Sequence, residues 1–139
     1  MNAAGKLKPG LEGTAELLVA EEHTAPRVGS GRVHVLATPV MINVIEAAAL
    51  AAIEHLLPEG HQSLGTRLDV RHFAATPVGM RIVAQAEVVK VEGRSVTFRV
   101  AVSDEKEPIA DGTHERMLVN VARFDVRVQE KVAMVRGRA

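Results

Sequence analysis

Residues Ala37–Gly60, ATPVMINVIEAAALAAIEHLLPEG, decide the fold and pose the functional question at once. The stretch reads as one apolar helix. Thr38 suits its N-cap and Pro39 its first turn, where a missing N–H costs nothing; Leu56–Gly60 ends it. Between Val40 and Ile53 the only strongly polar side chains are Asn43 and Glu46, three apart and so on one face. Asn43, Glu46 and Glu54 fall within an arc of roughly 80°, as a solvated stripe would. Ala47 and Leu50 share that arc, which makes it a poor solvent face. If the face meets a partner subunit instead, Glu46 lies in a semi-apolar cleft. Its pKa should then rise, which suits a base or a nucleophile.

Upstream, Leu11–Ala20 (LEGTAELLVA) alternates weakly, as a strand does. Glu21–Leu36 carries Pro26, Gly29, Ser30 and Gly31, the marks of a loop, with a short strand expected at Val33–Leu36. Downstream the period changes to two. Ser63–Ala75 sets Leu68, Val70, His72 and Ala74 on one face and Arg67, Asp69, Arg71 and Phe73 on the other. Thr76–Gly79 (TPVG) is a turn, and Met80–Val91 and Ser95–Asp104 form a hairpin across Glu92–Arg94. A long last strand is expected from about Asp111 through Arg123–Val128 (RFDVRV). The order is strand, long helix, four strands. A helix apolar over most of its circumference wants enclosure, and a curved antiparallel sheet wrapped around it is the simplest α+β solution. Open sheet edges would gain from pairing with a second copy.

The 139 residues are the length of one domain, 1–139, with no repeat or internal boundary. Seventeen basic and seventeen acidic side chains cancel, and aromatics are 2%, so neither charge nor base stacking favours nucleic acid. There is no cysteine for a disulfide, a thiolate nucleophile or a zinc site. The N-terminus lacks the apolar core of a signal peptide, and Val40–Ile53 is short for a membrane span. A soluble, cytoplasmic protein is expected.

Two more residues stand out. His72 takes the inward phase of its strand, where a histidine is more often a satisfied core residue than a catalytic one. Thr38 begins a helix, whose free N–H groups and partial positive charge suit a developing oxyanion. The remaining histidines, His23, His34, His55, His61 and His114, show no metal-ligand spacing, and there is no nucleotide-binding fingerprint. A metal or nucleotide cofactor is not expected.

The element order, with ATPVMINVIEAA (Ala37–Ala48), SLGTRLDVRHFAATPVG (Ser63–Gly79), VEGR (Val91–Arg94) and DGTHERMLVNVARFDVRVQEK (Asp111–Lys131), resembles the hot-dog-fold acyl-CoA thioesterases. Among these it is most similar to the bacterial fluoroacetyl-CoA thioesterases. The likeness covers about Ala37–Lys131. It implies a catalytic set of Thr38, Glu46 and His72, the three residues singled out above. Gly65 and Arg116, the latter in GTHER, are expected against the substrate. The lid phenylalanines that shape the relatives' pocket for a fluorinated acyl group have no counterpart in Ala25–Leu36.

The resemblance thus implies a homodimer or dimer of dimers hydrolysing a short or medium acyl-CoA. Coenzyme A would enter only as part of the substrate. Glu46 would attack the thioester carbonyl or activate water, and His72 would handle protons. Thr38, the first helical N–H groups and Gly65 would hold the carbonyl oxygen. A protein that binds acyl-CoA or a small acid without hydrolysing it is the alternative on the same fold.

Overall fold

A computed structural model describes residues 2–138. Five strands, β1 (Glu12–Leu18), β2 (His61–His72), β3 (Arg81–Glu92), β4 (Ser95–Ser103) and β5 (Pro108–Asn120), form one antiparallel sheet in the order β1-β3-β4-β5-β2. Its concave side wraps a 16-residue helix. We call the helices α1 (Ala25–Val28), α2 (Thr38–Ile53) and α3 (Val121–Arg136). This is the α+β arrangement expected from the sequence.

α2 lays Met41, Val44, Ile45, Ala48, Ala49, Ala52 and Ile53 against the sheet, the spacing of one helical face. They meet Ile82, Ala84, Ala86 and Val88 of β3 and Val96, Phe98, Val100 and Val102 of β4 in one core. The approach is closest at Gly13 of β1, where a Cβ would run into the Ala48 carbonyl and the backbone of Ala51 and Ala52. With the turn that follows it, Thr38–Leu56 is long and apolar enough to cross a membrane, longer than the segment read from the sequence. Here the sheet takes up its apolar face. Asn43, Ala47 and Ala51 do form an exposed stripe, but Glu46 is turned off it and only half exposed.

Three expectations fail. The last strand stops at Asn120, and RFDVRV lies in α3. Asn120 ends the strand because its side chain accepts from the Arg123 N–H and caps the new helix. Val33–Leu36 is not a strand; Leu36 makes a single bridge to Thr24. Glu21–Leu36 contains a short 3-10 turn (Glu21–His23) and α1, whose first turn holds Pro26 and whose end is Gly29 at φ +82°.

An irregularity in β2 decides which of its side chains face the helix. The strand carries a bulge between Gly65 and Arg67. Gly65 lies opposite Arg116, and beyond the bulge Leu68, Val70 and His72 lie opposite His114, Gly112 and Ala110. His114, Arg116 and Ala110 are buried, so all four β2 residues take the concave face. In a regular strand Gly65 and His72, seven apart, would face opposite ways.

Candidate active site

The concave face of β2 carries two groups of polar side chains. At its far end Thr38 and His72 share a hydrogen bond of 2.8 Å between Oγ1 and Nδ1. The sequence makes Thr38 the helix cap, but the structure puts Ala37 there, extended at φ −72° and ψ 137°. The Thr38 hydroxyl bonds His72 instead; where Nδ1 carries the ring proton, the hydroxyl accepts and keeps its own proton to donate. Burial lowers the His72 pKa from its ordinary 6.5, with the Ala74 backbone pulling weakly the other way. Its Nε2 is buried and has no hydrogen-bond partner among the described residues. The pair lines a cavity of about 370 Å³ with Ser30, Gly31, Arg32, Leu36 and Phe73.

The helix start offers less to an oxyanion than expected. Pro39 has no N–H, and the N–H groups of Val40 and Met41 both donate to the Ala37 carbonyl, each at 3.1 Å. Among the described residues that leaves the Thr38 N–H without an acceptor.

The second group surrounds Glu46. Arg116 Nη1 donates to Glu46 Oε2 at 3.0 Å and to His114 Nε2 at 3.1 Å. Arg116 Nε donates to Ser63 Oγ at 2.8 Å, and Nη2 to the Ser63 carbonyl at 3.1 Å. His114 Nδ1 donates to the Arg67 carbonyl at 2.8 Å, the bond that frees Nε2 to accept. The His114 pKa is lowered first by burial, with the Arg116 charge acting the same way; the bond to Arg67 and the Glu46 and Glu115 charges oppose it. Glu46 therefore meets a guanidinium, not the semi-apolar cleft expected. Arg116, expected against substrate, is 5% exposed, and four of its five N–H donors bond within the protein. It positions Glu46. Gly65 faces the same carboxylate: a Cβ there would collide with Glu46 Oε2.

Ser63 and His114 belong to this network and are not evident from the sequence as functional residues. The signal for His114 was present, since it and Arg116 are two apart on a strand and share a face. Among the described residues no three His, Asp or Glu side chains gather as metal ligands would.

Within one chain the groups lie apart. Gly65 and His72 are separated by about 20 Å along β2, at roughly 3.3 Å per residue with one residue lost to the bulge. Between them the concave face is open, and Leu68 is 39% exposed on it.

A curled antiparallel sheet around one long helix is the hot-dog fold of the acyl-CoA thioesterases. A Thermus thermophilus protein of the thioesterase superfamily superposes with a TM-score of 0.87 at 28% identity, covering 94% of this chain and 97% of its own. The pattern of the fluoroacetyl-CoA-specific thioesterase family, FlK, matches residues 19–122. The chain belongs to this family. The fluoroacetyl-CoA thioesterase of Streptantibioticus cattleyicolor is 39% identical over 97 residues, 70% of either chain. A variant of the fluoroacetyl-CoA thioesterase FlK, solved with acetyl-CoA, matches with a TM-score of 0.84 at 31% identity, covering 90% of this chain and 98% of its own.

Proposed function

We propose that this protein hydrolyses a short acyl-CoA thioester at a site assembled from two chains. The observation that carries this reading is the single face of β2 shared by the Thr38–His72 pair and the Glu46–Gly65–Arg116 group. Two β2 edges paired antiparallel about Asp69 would bring the partner's His72 opposite Gly65, since with Thr66 taken up by the bulge both lie three pairing positions from that centre. The exposed Leu68 would be covered by the same contact. A two-fold dimer would hold two such sites.

In each site the Thr38 N–H and hydroxyl would hold the carbonyl oxygen as it gains charge. Glu46 of the other chain supplies the electron pair, either by adding to the carbonyl carbon or by taking a proton from the water that does. The C–S bond then breaks and the thiolate leaves; where Glu46 itself has added, water next cleaves the acyl–glutamate anhydride and frees the acid. His72, kept neutral by burial, moves protons between water and the departing sulfur. The net change consumes one water and yields the acid and coenzyme A, with no further cofactor.

For the nucleotide of coenzyme A, a second cavity offers charge. It measures about 430 Å³ and lies at the base of α3, lined by His61, Arg94, Arg123 and Arg127 and by no acidic side chain. It opens four residues along β5 from Arg116, about 13 Å at 3.3 Å per residue, a distance the pantetheine arm can bridge.

Thiol release from a panel of acyl-CoAs, followed with a thiol reagent, tests the reading. Steady turnover supports it. Saturable binding without release would identify a binding protein.

A further inference from the structure

We propose that Arg32 makes this thioesterase selective for acyl groups ending in a carboxylate, which it meets in the cavity that also holds Thr38 and His72. The inference rests on the hydrolase reading above and names its substrate class.

The cavity's composition carries it. Ala25, Val33, Val35, Leu36, Phe73 and Ala74 supply an apolar part of the wall, which suits a short carbon chain. Arg32 is the one arginine or lysine in the lining, and no acidic side chain accompanies it. Its guanidinium makes no ion pair among the described residues. His34, two residues along the same loop, is already paired with Glu21 at 2.7 Å. An unpaired guanidinium beside apolar walls disfavours an alkyl tail and rewards a planar anion that takes two parallel N–H donors. Ser30 and Gly31, at the same rim, add a small polar lip. A short acyl chain would set its thioester at Thr38 and its distal carboxylate at Arg32.

The test compares malonyl-CoA and succinyl-CoA with propanoyl-CoA and butanoyl-CoA, in the wild type and in Arg32→Gln and Arg32→Glu. Wild-type kcat/KM should favour the acidic member of each pair by about tenfold or more, the range of one charge-assisted bidentate contact. Arg32→Gln should collapse the ratio towards one, and Arg32→Glu should invert it. The ratio, not the absolute rate, is the readout. An equal ratio in wild type and Arg32→Gln overturns the proposal while leaving hydrolysis standing. So does an equal loss on all four substrates, which would assign Arg32 to the coenzyme A phosphates. If no substrate turns over, the hydrolase reading fails on its own. Calorimetry then decides the Arg32 question: succinate should bind the wild type more tightly than butanoate, with the difference lost in Arg32→Gln, and equal binding overturns it.

Discussion

The side chains with most at stake are those whose partners the structure changed. Glu46→Gln keeps a carbonyl oxygen for Arg116 Nη1, so the network holding Arg116 should survive the substitution. Its kcat should fall by on the order of a hundredfold or more while the unfolding temperature stays near that of the wild type. Retained activity in a steady-state assay would return Glu46 to a merely solvated role. Gly65→Ala separates position from charge. The new methyl group collides only with the end of the Glu46 side chain and comes within 3.3 Å of His114 Cε1 and 3.4 Å of Arg116 Nη1, so the fold tolerates it with small adjustments, but the carboxylate must move. Turnover should drop by about tenfold or more, as displacements of roughly 1 Å at a reacting group can cause. Thermal denaturation should hardly register it. At this scale the sequence exposed Thr38, Glu46 and His72, because each is a polar group out of place. It did not expose the Thr38–His72 bond, which depends on a contact between residues 34 apart in the chain.

Among the elements, α2 and β2 were legible because their periods are clean. α3 was not. Phe124, Val126 and Val128 alternate with charges and are rich in β-branched residues, which imitates a strand. The helical stripe of Val121, Phe124, Val128, Val132 and Val135 is present in the same letters, and the cap at Asn120 decides between them. The misreading hid the basic cavity, which exists only because α3 turns Arg123 and Arg127 towards Arg94. Replacing Arg123 and Arg127 by alanine together should raise KM for an acyl-CoA severalfold. KM for the matching N-acetylcysteamine thioester, which has no phosphate, should stay the same. Equal effects on both would remove the cavity from coenzyme A binding. The packing of α2 on β1 makes a separate claim. At Gly13 an added methyl meets backbone that cannot swing away, so Gly13→Ala should destabilise by about 1–3 kcal/mol. Calorimetric scans should show this as a Tm lower by several degrees, and an unchanged Tm would mean that α2 is not seated so closely.

For the molecule as a whole, the proposal that two chains share each site makes a prediction that no single chain can satisfy. Glu46→Gln and Thr38→Ala homodimers should each be inactive, and exchanging their subunits should restore activity, because a mixed dimer keeps one complete site. No recovery after proven exchange would place all three residues in one chain's site. Acid should weaken the fold as well. His72 and His114 are both held below the ordinary histidine pKa by burial. Between 6.5 and those lower values the unfolded chain binds protons that the folded chain refuses, so stability falls as pH falls through that window. Thermal melts should therefore lose temperature below about pH 6.5, the reference value for an unperturbed histidine. The loss should be shallower in His114→Gln. The general shape of the molecule was legible because one helix cannot cover two faces of a sheet. The separation of the site into two groups was not, because the bulge between Gly65 and Arg67 has no signature in side-chain type.

That bulge also restricts how the protein can change by descent. Between Gly65 and His72 the gene can gain or lose codons in twos, and it can lose the one that the bulge holds spare, but a single added codon is another matter. Removing Thr66 alone would straighten the strand and leave Leu68, Val70 and His72 inward, but one residue added between Arg67 and Leu68 would turn those three outward together, exchanging them for Asp69 and Arg71. Every one of those residues would keep its identity and lose its chemistry. Among relatives that retain the activity, spacing along this strand should vary less than the letters themselves.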